Sequence, residues 1–215
     1  MASLPAQVDL SPLPIRTRPA LRFAQLLGGL AAYGISMGLM VRAEIGLSPW
    51  DALHEGLSQR LNWSFGAVTA LTGVLVMLAW LPLRQRPGIG TVANVVVIAF
   101  AVDFTLAMTP QLSSLPARLA LMVFAIALNG LATAVYVGAR LGPGPRDGLM
   151  TGLHARTGWS LRVVRTTIEV CVLAVGWVLG GTVGVGTVLY ATSIGPLTQL
   201  FLRFAVVREK KDLCP

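Results

Sequence analysis

The chain has 215 residues, of which 54% are hydrophobic and only 12% charged, and its mean hydropathy is +0.71. A soluble globular domain carries about 25% charged residues, so that class is excluded. The net charge of +8 invites a nucleic-acid partner, but the basic residues sort by membrane side instead, and no nucleic acid is expected.

Residues 1–20 form a Pro-rich leader, expected to be disordered and cytoplasmic. Apolar runs long enough to span a hydrocarbon core, about 20 residues each, then occupy 21–42, 64–83, 116–139, 160–181 and 184–205. A sixth, at 88–109, carries one acid, Asp103. The run after Arg22 is too long for the apolar core of a cleaved signal and is expected to persist as the first span. The connections are short, and residues 208–215 form a cytoplasmic tail. Cys171 lies in a span and Cys214 in the tail, so no disulfide is expected.

Between the first two runs, Ser48-Pro49-Trp50-Asp51 has helix-start chemistry, with a capping serine, proline at the first helical position and an acid three residues after the cap. About 13 residues at about 1.5 Å each reach only about 20 Å, too short to cross. Trp50, Leu53, Leu57 and Leu61 share one face of this helix, and Asp51, His54, Glu55 and Ser58 another. Such a segment either lies in the interface or dips back into the membrane as a half-helix.

The chain nearly repeats after a shift of 96 residues. Gly46, Pro49, Asp51, Gly56, Arg60 and Trp63 recur as Gly142, Pro145, Asp147, Gly152, Arg156 and Trp159. Gly88-Ile89-Gly90-Thr91 recurs as Gly184-Val185-Gly186-Thr187. Each copy holds three spans, and an odd number forces the second copy into the membrane upside down, as in many transporters. The expected fold is therefore an all-α, polytopic membrane protein of six transmembrane helices. They form two inverted three-helix repeats, 21–112 and 113–207, each with a short extra helix after its first span. With both termini in the cytoplasm, fourteen Lys and Arg residues fall inside and three, Arg42, Arg60 and Arg118, outside. Letting the short segments cross gives eight spans in a parallel repeat and a weaker charge bias, so six is preferred.

Among the candidate residues, Asp103 is an acid inside a span, where charge is costly and marks an interior, a partner or a water path. Glu169 lies four residues after Arg165, at ion-pair spacing, and reads either as a structural pair or as a coupling carboxylate. Asp51 and Asp147 meet the positive ends of their short helices as caps, or face a central cavity from opposite membrane sides and bind a cation or substrate amine; either way, an acid at each helix start argues against a plain anion site there. Asn94 adds a polar group to the third span. Gly46, Pro49, Gly88 and Gly90, with Gly142, Pro145, Gly184 and Gly186, read as structural marks of turns and close packing. His54 and His154 fall in segments on opposite sides, so no metal site is expected; neither a catalytic set nor a cofactor motif is present. Trp63, Trp80, Trp159 and Trp177 read as interfacial belt residues.

Gly46-Leu47-Ser48-Pro49-Trp50-Asp51, Arg84-Gln85-Arg86-Pro87-Gly88-Ile89-Gly90-Thr91 with Asn94, and Gly142-Pro143-Gly144-Pro145-Arg146-Asp147 resemble the YczE/YitT family of bacterial integral membrane proteins, in its YczE-like branch. Gly181-Thr182-Val183-Gly184 and Ile194-Gly195-Pro196-Leu197 complete the pattern, and Phe100-Ala101-Val102-Asp103 departs from it where a glycine is expected. The resemblance covers about residues 22–204 and implies a multi-span inner-membrane protein with no agreed activity. The expected function is a small-molecule transporter or exporter with a site near the bilayer midplane. The alternative is a non-transporting accessory or scaffold factor for another protein. Lipid and an unknown small molecule are the expected partners, and six spans are compatible with a homodimer.

Overall fold

A computed structural model describes residues 17–206; most of the leader, the tail and Cys214 lie outside the described residues. The described chain is helical, with α1 at Pro19–Ala43, α2 at Pro49–Leu61, α3 at Phe65–Leu83 and α4 at Ile89–Met108, followed by α5 at Leu115–Gly138, α6 at Pro145–Thr157, α7 at Leu161–Val178 and α8 at Val185–Ala205. Each helix of the second set begins 96 residues after its counterpart: 19 and 115, 49 and 145, 65 and 161, 89 and 185.

Local chemistry places these starts. The hydroxyls of Ser48, Ser64 and Ser160 accept from the N–H three residues on, opening α2, α3 and α7. Thr91 and Thr187 reach back to accept from Gly88 N–H at 3.1 Å and Gly184 N–H at 3.2 Å, which closes the turns into α4 and α8. Gly46 and Gly142 carry φ of +124° and +131°, a region that only glycine enters freely.

Five helices, α1, α3, α4, α5 and α8, are long and apolar enough to cross a membrane. The sequence placed its one ambiguous span at 88–109 because of Asp103, yet α4 meets the requirement and α7 does not. Arg162, Arg165 and Glu169 leave α7, 18 residues long, with one polar side along its first half.

Helices α1 and α5 run antiparallel and fix each other's ends. Arg22 donates from Nε to Ala139 O at 2.8 Å and from Nη2 to Arg140 O at 3.0 Å. Arg118, its counterpart 96 residues on, donates from Nε to Ala43 O at 2.7 Å. Midway, Asn129 Nδ2 donates to Ser36 Oγ at 2.7 Å. The loops repeat the reciprocity: Gly186 N–H donates to Ile45 O at 2.8 Å, and Gly90 N–H to Leu141 O at 3.1 Å. Contacts that exchange partners in this way follow from a two-fold relation.

Around the α1–α5 pair, α4 packs on α1 and α8 on α5, with glycines at the contacts. A Cβ on Gly34 would stand 2.6 Å from Ala101 Cβ, and one on Gly130 would stand 2.9 Å from Leu197 Cβ; small residues let membrane helices approach closely. The short helices cross over, so that α2 packs chiefly on α7 and α6 on α3. One symmetry-related contact is missing. Helix α3 packs along α4, whereas α7 and α8 diverge.

One sequence reading changes here. Trp80 is no belt residue: it is 1% exposed, lies against Gly148 and donates from Nε1 to Pro145 O at 3.0 Å. The three arginines assigned outside each bond a backbone carbonyl near a helix end: Arg42 to Leu106 O, Arg60 to Leu179 O and Arg118 to Ala43 O. These bonds satisfy orphan carbonyls at helix ends.

Candidate functional site

The N-termini of α2 and α6 meet through Trp50, Asp51 and Arg146, and a cavity of about 860 Å³ opens beside them. Its walls come from α1, α3, α4, α5, α7 and α8 as well as from the two short helices. Helix α2 is buried at its start, polar residues included: Trp50, Asp51 and His54 are 6%, 2% and 1% exposed, while Leu61 at its far end is 43% exposed. A connector lying in the interface would expose the polar side instead.

Trp50 and Arg146 occupy equivalent positions of the repeat, and they meet. The guanidinium carbon of Arg146 lies 4.8 Å from the centroid of the Trp50 ring, within cation–π range. Arg146 Nη2 stands 3.9 Å from Asp51 Oδ1. Asp51 Oδ2 accepts from Ser48 Oγ at 2.6 Å, which leaves Oδ1 without a hydrogen-bond partner. Burial raises the Asp51 pKa above the ordinary carboxylate value, opposed by Arg146 and by the Ser48 hydrogen bond. His54 Nδ1 lies 3.8 Å from Asp51 Oδ1 and 3.3 Å from Thr69 Oγ1. Burial, aided by Arg146, holds the imidazole well below its usual pKa and therefore neutral at pH 7.

All three tyrosines of the chain, Tyr33, Tyr136 and Tyr190, line the cavity. Tyr33 and Tyr136 meet edge to face with centroids 5.9 Å apart. Tyr190 Oη donates to Asn129 Oδ1 at 3.3 Å. Here the repeat exchanges its chemistry, since Tyr33 is equivalent to Asn129 and Asn94 to Tyr190.

Of the residues that the sequence singled out, the cavity brings together Asn94, Asp147, Arg165 and Glu169, with Asp51 packed behind Trp50. Arg165 Nε and Glu169 Oε1 form the expected i, i+4 pair at 3.0 Å, and both line the cavity. Asp147 sits at the α6 start with its side chain open to the cavity. The glycine and proline marks divide in the same way. Pro49, Gly142 and Pro145 line the cavity, while Gly46 contacts Gly184 and Thr187, Gly186 bonds Ile45 O, and Gly88 and Gly90 pack on Leu141 and Gly142.

Asp103 is placed elsewhere. Its carboxylate accepts from Ser64 Oγ at 2.6 Å and Gly66 N–H at 2.7 Å, tying α4 to the start of α3. A helix N-terminus attracts an acid by its orphan N–H groups and dipole, and that requirement accounts for Asp103 without a water path. Asp103→Ala is expected to lower stability by about 1–3 kcal/mol, the range for hydrogen bonds to a charged group. Ligand binding in the cavity should persist. Thermal unfolding and ligand titration of the variant check both outcomes.

Sequence reasoning missed Trp50, Arg146, His54 and the tyrosines. One signal was present: Pro49-Trp50-Asp51 and Pro145-Arg146-Asp147 are identical except at the central residue, the position at which the two motifs touch.

The model of a family of unknown function, DUF6198, matches residues 20–203. An uncharacterized protein of Haemophilus influenzae is 42% identical over 177 residues, covering 82% of this chain and 81% of that protein. The uncharacterized membrane protein YczE of Bacillus subtilis is 36% identical over 185 residues, covering 86% and 83%. The uncharacterized protein YyaS of the same organism is 25% identical over 178 residues, covering 81% and 89%. No solved structure matches. A family match across the whole helical region, together with this degree of identity to YczE, makes the chain a member of the YczE-like DUF6198 family of membrane proteins.

Proposed function

We propose that the chain is a small-molecule transporter of the bacterial inner membrane, built as two inverted three-span repeats with both termini in the cytoplasm. The observation that carries this reading is the cavity at the meeting point of two half-helix N-termini, which is where inverted-repeat transporters hold their cargo. The antiparallel α1–α5 pair and the reciprocal arginine caps support the inversion, because a parallel eight-span repeat would run α1 and α5 the same way. The buried start of α2, with Asp51 and His54 out of solvent, supports a re-entrant short helix.

The cavity also favours alternating access. It reaches Gln85, Arg86, Arg140 and Leu202, at the ends assigned to the cytoplasm. Their repeat equivalents, Gly181, Thr182, Glu44 and Leu106, take no part in its lining. Exchanging the two repeats' conformations would move the opening to the other face. The crossed packing of α2 on α7 and α6 on α3 opposes rocking of two rigid halves, so the motion is assigned to α7 and α8, which diverge.

Gly195 offers the test. It lines the cavity, and a Cβ there meets nothing within 4 Å. Gly195→Ala is expected to fold at least as well as the native protein, since glycine costs about 1 kcal/mol in a helix. Gly195→Phe is expected to fold and to place its ring in the cavity, obstructing it. A thermal-unfolding screen of the detergent-solubilised protein against metabolites and ions should give a saturable upward shift that Gly195→Phe abolishes. A shift indifferent to Gly195→Phe, or a flat screen on folded protein, would count against a cavity site.

A further inference from the structure

The centre of the cavity carries an imbalance of chemistry. Arg146 is held loosely, by a ring face at 4.8 Å and a carboxylate oxygen at 3.9 Å, the second distance being beyond hydrogen-bond reach. Beneath it, Asp51 Oδ1 and Trp50 Nε1 are buried with no hydrogen-bond partner among the described residues. Around it stand the Tyr33 and Tyr136 hydroxyls and the cations Arg86, Arg140 and Arg165 along the opening, against Asp147 and Glu169, the latter paired with Arg165. A guanidinium in a half-dry cavity binds a planar or tetrahedral anion through paired N–H groups far better than it binds a carboxylate at this distance.

We propose that Arg146 is the cavity's receptor for a small organic anion bearing a carboxylate or phosphate, and that Asp51 is the counter-charge this anion displaces. The inference rests on the cavity being the transport site and adds the charge of the cargo. Ligand and Asp51 compete for one cation. An ionised Asp51 therefore weakens anion binding, and a proton taken up by Asp51 strengthens it. Burial shifts Asp51 in the direction that favours taking up that proton, against the opposing Arg146 charge. The other charged or titratable groups facing Asp51 are His54 and Glu55 on α2, Arg146 and Asp147 on α6, and Tyr33 and Tyr190 across the cavity. His54 is the one whose protonation would mimic the effect.

The experiment titrates the full chain in detergent with benzoate, inorganic phosphate and phenyl phosphate, and in parallel with benzamide and benzylamine, reading the unfolding midpoint from pH 5 to 8. Anions should stabilise the native protein more strongly as pH falls. Arg146→Gln should weaken that binding by about 10- to 100-fold, the worth of a charge-assisted hydrogen bond. Asp51→Asn should tighten it by about tenfold, because a charge about 4 Å from the guanidinium is gone, and should flatten its pH dependence. Benzoate stays ionised throughout this range, so a pH dependence of its binding that survives Asp51→Asn lies in another group and overturns the competition. Looser binding in Asp51→Asn, or no anion effect in the native protein, overturns the proposal. If benzylamine or benzamide shifts the midpoint and Gly195→Phe removes the shift, the transport site stands and its anion preference falls.

Discussion

Gly148→Ala is expected to destabilise the protein by about 3 kcal/mol, at the upper end for overpacking a filled core. A Cβ at Gly148 would sit 2.0 Å from Cζ2 of Trp80 and 2.5 Å from two further indole carbons. The ring cannot swing aside, because Trp80 is 1% exposed and its Nε1 is bonded to Pro145 O at 3.0 Å. Trp80→Ala alone is expected to cost about 3–5 kcal/mol through the cavity it leaves. In the Trp80→Ala background the extra methyl of Gly148→Ala becomes harmless, so the double variant should fall short of the sum by about 2–3 kcal/mol. Thermal or denaturant unfolding of the four proteins reads the coupling directly, and additive effects would show that the ring has another place to go. The other half fills the same contact with the volumes reversed: Ala52 stands where Gly148 does, and Gly176 stands where Trp80 does. A Cβ on Gly176 would lie 2.6 Å from Leu53 N. The two short-helix contacts are thus equivalent in place and opposite in packing.

That reversal marks what a single sequence can and cannot convey here. Repeat spacing, span lengths and short-helix starts are local or periodic properties, so Ser48-Pro49-x-Asp51 and Gly88-x-Gly90-Thr91 announced their helices before any contact was known. The crossing of α2 onto α7 and α6 onto α3 involves long-range pairs, and no period encodes it. The acids show the same division. Asp103 was conspicuous because a charge inside a span is costly, but its cost is met by the N-terminus of α3, 37 residues away at Gly66. Asp51 was legible as a cap and does accept from Ser48; its second role, facing Arg146, depends on a residue 95 positions on that had no reason to be read beside it. The tyrosines were invisible individually, being ordinary residues of apolar helices. Only as a set, all on one cavity, do they carry meaning.

Arg22→Met is expected to cost about 2–5 kcal/mol, much more than Arg118→Met at the equivalent position. Each arginine caps the last carbonyls of the helix running against its own, but their surroundings differ. Arg22 is fully buried, with its guanidinium bonded to Ala139 O, Arg140 O and, at 3.4 Å, Thr17 O. Methionine keeps the volume and strands two buried carbonyls, each worth about 1–3 kcal/mol when unsatisfied. The side chain of Arg118 is 23% exposed and lies beside Glu44, so water reaches the carbonyls that its removal frees. Arg22→Lys should recover little, because an ammonium lacks the fork that serves two carbonyls at once. The loss should also reach the cavity. The carbonyl of Arg140 is one of the anchors beside Gly142 and Pro143, which form part of its wall, so Arg22→Met should blunt ligand-induced stabilisation as well as lower the midpoint. Arg118 fixes the opposite end of α1, away from the lining, and Arg118→Met should leave the ligand shift intact. Equal costs for the two variants would mean that the cap at Arg22 is as wet as its counterpart. An unchanged ligand shift in Arg22→Met would separate the α5 end from the site it borders.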